Sequence, residues 1–195
     1  MEIIICNKKE YSVIETISSN TQCTTYLVER ENVKYKLVKF ALVSLYQSSL
    51  KRRKLLKRYL TYVPKIIKKD KKNAILLLEH FDEETVLDTL VKEELKDDLF
   101  KMVFDFYRVC RVGKIELNYL PEYYVLHNKH LYYLADDMYD ANKEHNFENF
   151  GIFYWLYSPQ LIEYLKDKGL PVNMKRLLNK GELNKKIVLL SLLNW

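Results

Sequence analysis

A chain of 195 residues with 48% hydrophobic and 30% charged side chains suits one domain or two small lobes sharing a cleft, and it is too apolar to be disordered. Its formal charge of +6 is local: eleven of the 32 Lys and Arg fall in residues 51–72 against one acid, Asp70, leaving 21 basic and 25 acidic residues elsewhere, which argues against a protein that coats nucleic acid. Three cysteines, Cys6, Cys23 and Cys110, lack the spacing of a disulfide framework or zinc site, and no apolar run approaches the ~20 residues of a membrane span, so a soluble cytoplasmic protein is expected.

Residues 2–6, 11–17, 24–29 and 33–40 are rich in β-branched and aromatic side chains between polar breaks, which predicts an antiparallel meander. The break at 18–23 contains no glycine, and none occurs before Gly113. Residues 41–62 carry Leu and Tyr at helical spacing with a basic opposite side, ending before Pro64. Residues 65–67 and 74–78 predict two more strands joined by a basic turn, and the acidic stretch 79–84 is the expected lobe boundary. From Thr85 the pattern is helical until Gly113. Residues 123–126 and 131–135 flank the turn His127-Asn128-Lys129-His130 and predict a hairpin that exits on Asp136 and Asp137. Residues 150–157 are apolar and aromatic. Residues 160–168 predict an amphipathic helix with Pro159 near its start and Gly169 at its stop. A short helix, a break at Gly181 and a final apolar helix complete the chain.

In this order the elements resemble a minimal protein kinase of the small RIO-like and lipopolysaccharide-kinase-like sort, over residues 10–165. Val33-Lys34-Tyr35-Lys36-Leu37-Val38-Lys39-Phe40 is similar to the strand that carries the phosphate-binding lysine, here Lys39. Leu76-Leu77-Leu78-Glu79-His80-Phe81 resembles the strand entering the hinge, so Lys39, Glu79 and Phe81 are the expected ATP contacts. Leu120-Pro121-Glu122-Tyr123-Tyr124-Val125-Leu126 resembles the run after the catalytic residue, and Leu131-Tyr132-Tyr133-Leu134-Ala135-Asp136 the strand ending in the magnesium-binding aspartate. Residues 147–154 are similar to the start of the central large-lobe helix. The fold implied is α+β and bilobal. Residues 1–80 form a small lobe, an antiparallel sheet with one basic helix; residues 81–195 form a mostly helical lobe carrying the 118–140 hairpin.

Phosphoryl transfer needs a close backbone over the phosphates, an ion-paired lysine, a base and metal ligands. Side chains crowd the 18–23 loop, and residues 41–62 hold no Asp or Glu to pair with Lys39. The resemblance puts the catalytic triplet at Glu116-Leu117-Asn118, so an amide stands at Asn118 where a carboxylate belongs. The metal-binding asparagine falls on Tyr123 or Tyr124, depending on register. Asp136 and Asp137, with Asp140 nearby, are the oxygens the resemblance leaves for Mg; from the residues alone they read first as a solvated acidic turn after a strand.

The expectation is a kinase-like protein that has lost phosphotransfer and acts as a binding or regulatory module, a pseudokinase. Two alternatives stay open. One is an atypical small ATP-dependent kinase using Lys39 and Asp136, with Glu116 or Glu122 as base. The other is a nucleic-acid-binding protein acting through residues 51–72. Lys51, Arg52, Arg53, Lys54, Lys57 and Arg58 form the expected anion or partner patch, or a solvated helix face; the expected partner is another protein, with an acidic surface fitting the patch. His127 and His130 lack a nameable third metal ligand and read as turn residues.

Overall fold

A computed structural model of the chain describes residues 2–59, 62–135, 138–140 and 146–193. The architecture is mixed α+β, and the chain divides into two compact units: residues 1–57 with 63–82, and residues 58–62 with 83–195.

The first unit is built on six antiparallel strands: β1 (Ile3–Cys6), β2 (Lys9–Ser19), β3 (Cys23–Arg30), β4 (Val33–Phe40), β5 (Ile66–Asp70) and β6 (Ile75–Glu79), in the order β1-β2-β3-β4-β6-β5. Helix α1 (Val43–Tyr59) connects β4 to β5. With glycine scarce, the β1–β2 and β3–β4 hairpins turn on Asn7-Lys8 and Glu31-Asn32, all four residues at positive φ; Asn tolerates that region best among residues with a side chain. Strand β2 is longer than the sequence suggests. Bulges between Val13 and Glu15 and between Thr16 and Ser18 let it bend while staying paired to Ser19, and the expected 18–23 loop shrinks to 20–22.

Alternation along β4 sets the two faces. Leu37 enters one cluster with Ile4, Cys6, Tyr11, Val28, Ile75 and Leu77; Val38 enters another with Tyr46 of α1, Leu76 and Leu78. Each such fully buried side chain contributes about 1.5–3 kcal/mol. The sheet curls into a half-barrel. Asp70, at the end of edge strand β5, accepts the N–H of Asn7 from the β1–β2 turn at 2.7 Å.

In the second unit the helical pattern after Thr85 resolves into α2 (Val86–Lys92) and α3 (Asp97–Val112). Thr85 and Asp88 form a capping box that starts α2, and α3 buries Leu99, Phe100, Val103, Phe104, Tyr107 and Cys110 along one stripe. Strand β7 (Ile115–Leu117) follows, then a 3-10 turn (Pro121–Tyr123) and the hairpin β8 (Tyr124–His127) and β9 (His130–Tyr133), turning on Asn128-Lys129 at positive φ. Strand β10 (Met138–Asp140) returns to pair with β7, a ladder the sequence does not announce because each member has three residues.

Residues 147–154 do not begin a long helix. They form turns and a 3-10 helix, Gly151–Tyr154, that seats Trp155 in the core, where its indole N–H donates to the Tyr119 carbonyl at 2.6 Å. Helix α4 (Pro159–Asp167) is capped by Ser158 and stops at Gly169, whose φ of 67° closes the end. The expected short helix after 174 is one 3-10 turn, Met174–Arg176. Gly181 does not break the last helix either: α5 (Lys180–Leu193) runs through it. Asn179 Oδ1 accepts the N–H groups of Gly181 and Glu182 while the Glu182 carboxylate accepts the N–H of Asn179, a reciprocal cap that fixes the start one residue before the glycine.

Candidate functional site

In the first unit, β4 places Lys39 between Thr24 of β3 and Ile75 of β6. Its side chain is exposed and, two residues on from Leu37, lies on the sheet face opposite the one that carries α1. Helix α1 therefore packs beneath Val38 and Phe40, not beside Lys39. Glu79 is the last residue of β6 and belongs to a strand, not to the connector. Its carboxylate accepts the Lys65 N–H at 3.1 Å and its own N–H donates to the Lys65 carbonyl at 2.9 Å, so it closes the start of β5. Phe81 is buried.

The 20–22 loop is closed by its own side chain. Asn20 Oδ1 accepts the N–H of Gln22 at 2.8 Å and of Cys23 at 2.9 Å, and the Asn20 N–H donates to the Cys23 carbonyl at 3.0 Å. Two amides at the loop's tip thus face inward onto an amide oxygen. The signal was present in the sequence as an Asn two and three residues before the amides it captures.

In the second unit, Asn118 leaves β7 into a loop held from both sides. Its Oδ1 accepts the Leu120 N–H at 3.1 Å; its own N–H donates to Tyr133 Oη at 3.2 Å; its carbonyl accepts the Tyr124 O–H at 2.8 Å. Tyr124 and Tyr133 pair directly across the β8–β9 hairpin, and both are fully buried. Tyr107 of α3 completes the chain of phenols, 2.9 Å from Tyr124 Oη. Burial pushes the Tyr107 and Tyr124 phenols far above their ordinary range, so they act as neutral donors and acceptors. Tyr123, the other candidate for the ligand position, is half-buried and donates its N–H to the Leu120 carbonyl.

The two carboxylates expected to stand in for a base differ. Glu122 accepts the Tyr164 O–H at 2.7 Å and pairs with Lys168 at 2.7 Å, and so braces α4. Glu116, on β7, accepts the Phe147 N–H at 3.1 Å, and burial pushes its carboxyl up to about 7. Asp136 and Asp137 lie outside the described residues. The backbone of Asp140 lies in β10, opposite Ile115. Among the described residues no three His, Cys, Asp or Glu side chains converge as a metal site. His127 contacts Glu83 at 2.6 Å, and His130 stacks on Tyr62 with centroids 4.2 Å apart.

The basic segment keeps most of its expected character. Lys51, Lys54, Lys57 and Arg58 are exposed on α1, Arg52 is half-exposed, and Lys65, Lys68, Lys69, Lys71 and Lys72 are exposed further on. Arg53 departs from the expected patch: it is 6% exposed, because it shares the buried stripe of Tyr46, Ser49 and Leu56 at three- and four-residue spacing. The lone acid, Asp70, is also buried. Burial would raise its pKa, but N–H donors from Asn7, Asn73 and Lys72 outweigh that and hold the carboxyl below its ordinary value. The exposed surface of 51–72 therefore carries cations and no carboxylate.

A pocket of about 300 Å³ opens within the second unit, between α2, the start of α3, residues 155–157 and 175–178, and α5. Nothing in the sequence marks it, since its walls come from five separate stretches. No described helix is long and apolar enough to cross a membrane.

No protein-family model and no curated protein matches the chain. Among solved structures it is similar to one described as the crystal structure of the BubR1 kinase domain, with a TM-score of 0.52 and 11% identity over 71% of this chain. The chain spans 50% of that domain's length. At this identity the likeness is one of fold, and it supports a kinase-like arrangement of the α+β elements.

Proposed function

We propose that the chain is a degenerate kinase-like module, its two units corresponding to the two lobes, that transfers no phosphate and works by binding another protein. The observation that carries this is Asn118. At the position the resemblance gives to the catalytic carboxylate stands an amide whose oxygen is already committed to the Leu120 N–H. The captured amides of Gln22 and Cys23 add support, because backbone N–H groups of that loop are what a nucleotide's phosphates would need. Asn118 offers no base for an acceptor hydroxyl, the 20–22 loop does not fit the phosphates of Mg-ATP, and Glu79 and Phe81, two of the expected nucleotide contacts, are engaged in strand closure and core packing. The partner surface is the exposed lysine face of α1 with the β5–β6 region, which suits an acidic protein.

Purified chain given Mg-ATP labelled on its γ-phosphate and a panel of protein and small-molecule acceptors should yield no transfer above the level of Asp136→Ala. Metal-dependent transfer that disappears in Lys39→Ala would overturn the reading. One observation favours the atypical phosphotransferase as second reading: a carboxyl pushed to about 7, as Glu116 is, has the pKa a general base wants. In that case Glu116→Gln would abolish the transfer seen in the same assay.

A further inference from the structure

The pocket of the second unit has a built polar wall that neither the fold nor the proposed function uses. Its floor is apolar: Leu90, Leu95, Phe100 and Trp155 are each at most 5% exposed. Arg176 stands at one side. Its Nη1 donates to the carbonyls of Leu90 at 2.8 Å and Val91 at 3.2 Å in the last turn of α2, and its guanidinium lies 4.3 Å from the centre of the Tyr157 ring. Tyr157 is itself fixed, accepting the Asn173 N–H at its hydroxyl and the Leu178 N–H at its carbonyl. The guanidinium is thus held in one orientation with Nη2 lacking an acceptor among the described residues, which is the preorganisation an anion site needs.

Lys175, exposed at the rim, likewise has no side-chain partner among the described residues. Of the two carboxylates that line the pocket, Glu94 pairs with Lys186 and Glu182 accepts the Asn179 N–H through Oε2; neither has a hydrogen bond or ion pair to Arg176 or Lys175. An uncommitted pair of cations above an apolar floor selects a molecule with one anionic end and one apolar end. A volume of about 300 Å³ lies at the lower limit of small-molecule sites, which favours a compact one. A planar carboxylate suits the fork of a guanidinium better than a neutral hydroxyl or amide does.

We propose that this pocket binds a small organic carboxylate with an apolar body, its carboxylate on Arg176 and Lys175 and its body against Leu90, Leu95 and Trp155. All these residues belong to the second unit, so the site stands whether or not the chain is a pseudokinase.

The test is a titration of the ¹⁵N-labelled full chain with 4-phenylbutyrate, paired with 4-phenylbutanol. The acid should give saturable shifts at the Trp155 indole N–H and at the amides of 90–100 and 175–178, with affinity about tenfold above the alcohol's. Lys175→Met, an exposed change that leaves the fold untouched, should weaken the acid about fivefold and leave the alcohol unchanged. Leu177→Trp should close the mouth and abolish both. The proposal fails if the acid does not saturate, if acid and alcohol bind alike, if the shifts map elsewhere, or if Lys175→Met binds the acid as tightly as the natural chain.

Discussion

Replacing Tyr124 by Phe tests the clamp that holds Asn118. The ring stays in place, so packing is nearly unchanged, and only the hydroxyl between Tyr107 Oη and the Asn118 carbonyl is lost. Since Tyr124 donates to that carbonyl, it must accept from Tyr107. The substitution therefore strands a buried donor and a half-buried acceptor together. Each stranded group costs about 1–3 kcal/mol, and the carbonyl has some access to solvent, so the loss should be about 2–3 kcal/mol. Tyr107→Phe removes only the donor, leaves the Tyr124–Asn118 bond intact, and should cost about 1 kcal/mol. The double variant should then be no less stable than Tyr124→Phe alone, because deleting Tyr107's hydroxyl removes the orphan the first change created. Urea unfolding of the four proteins measures this, with midpoints shifting at constant slope. Strict additivity, or a Tyr124→Phe loss under about 0.5 kcal/mol, would refute the directional chain of phenols.

Two further outcomes follow from buried titratable groups. Glu116 has a folded pKa raised to about 7 by burial, so the native state binds a proton that the unfolded state, near 4.5, has released; stability should fall as pH rises from about 4.5 to 7. Glu116→Gln should flatten that fall by about 1–2 kcal/mol once the group's partial exposure is allowed for, and urea midpoints across the range would show it. Of the three cysteines, none of them in a disulfide, Cys6 and Cys110 are buried with thiols pushed to about 11 and about 12, whereas Cys23 is half-exposed. A thiol-specific reagent should label Cys23 alone in the native chain, as intact-mass counting and peptide mapping would reveal.

The sheet and the hairpin were legible because their signals are local: alternation in β4, β-branched residues in β3, a short apolar run in β6, and an Asn in each two-residue turn. The starts of α2 and α5 were equally local, as capping pairs Thr85 with Asp88 and Asn179 with Glu182, yet Gly181 drew the last boundary to the wrong place. What stayed hidden depends on distant pairing. The β7–β10 ladder joins residues 115–117 to 138–140, too short for either run to carry a pattern. The carboxylate pocket draws on residues 90 to 186, and only the folded chain brings Arg176 under the end of α2. Arg53 lies between these cases. It falls at helical spacing from Tyr46 and Leu56, but with Ser49 and Arg53 between them that stripe carries no apolar signal, and its charge made Arg53 look like part of the exposed patch.

Asn118 gains a different meaning beside the chain's other asparagines. Asn20, Asn146, Asn173 and Asn179 each accept, on Oδ1, a backbone N–H two or three residues ahead, as Asn118 does from Leu120. A chain with four glycines closes its tight turns with these amides, so the amide at 118 has a local structural reason of its own, whatever the kinase resemblance assigns to that position. The two meanings separate experimentally. Asn118→Asp keeps an oxygen for the Leu120 N–H, and a charge-assisted bond is stronger, so stability should change by less than about 1 kcal/mol. Asn118→Leu loses the acceptor and should cost about 1–2 kcal/mol. If the role is closure alone, the Asp variant restores the carboxylate without restoring phosphotransfer, because the 20–22 amides stay turned onto Asn20. Transfer regained by that one change would show instead that the rest of the catalytic apparatus had been waiting intact.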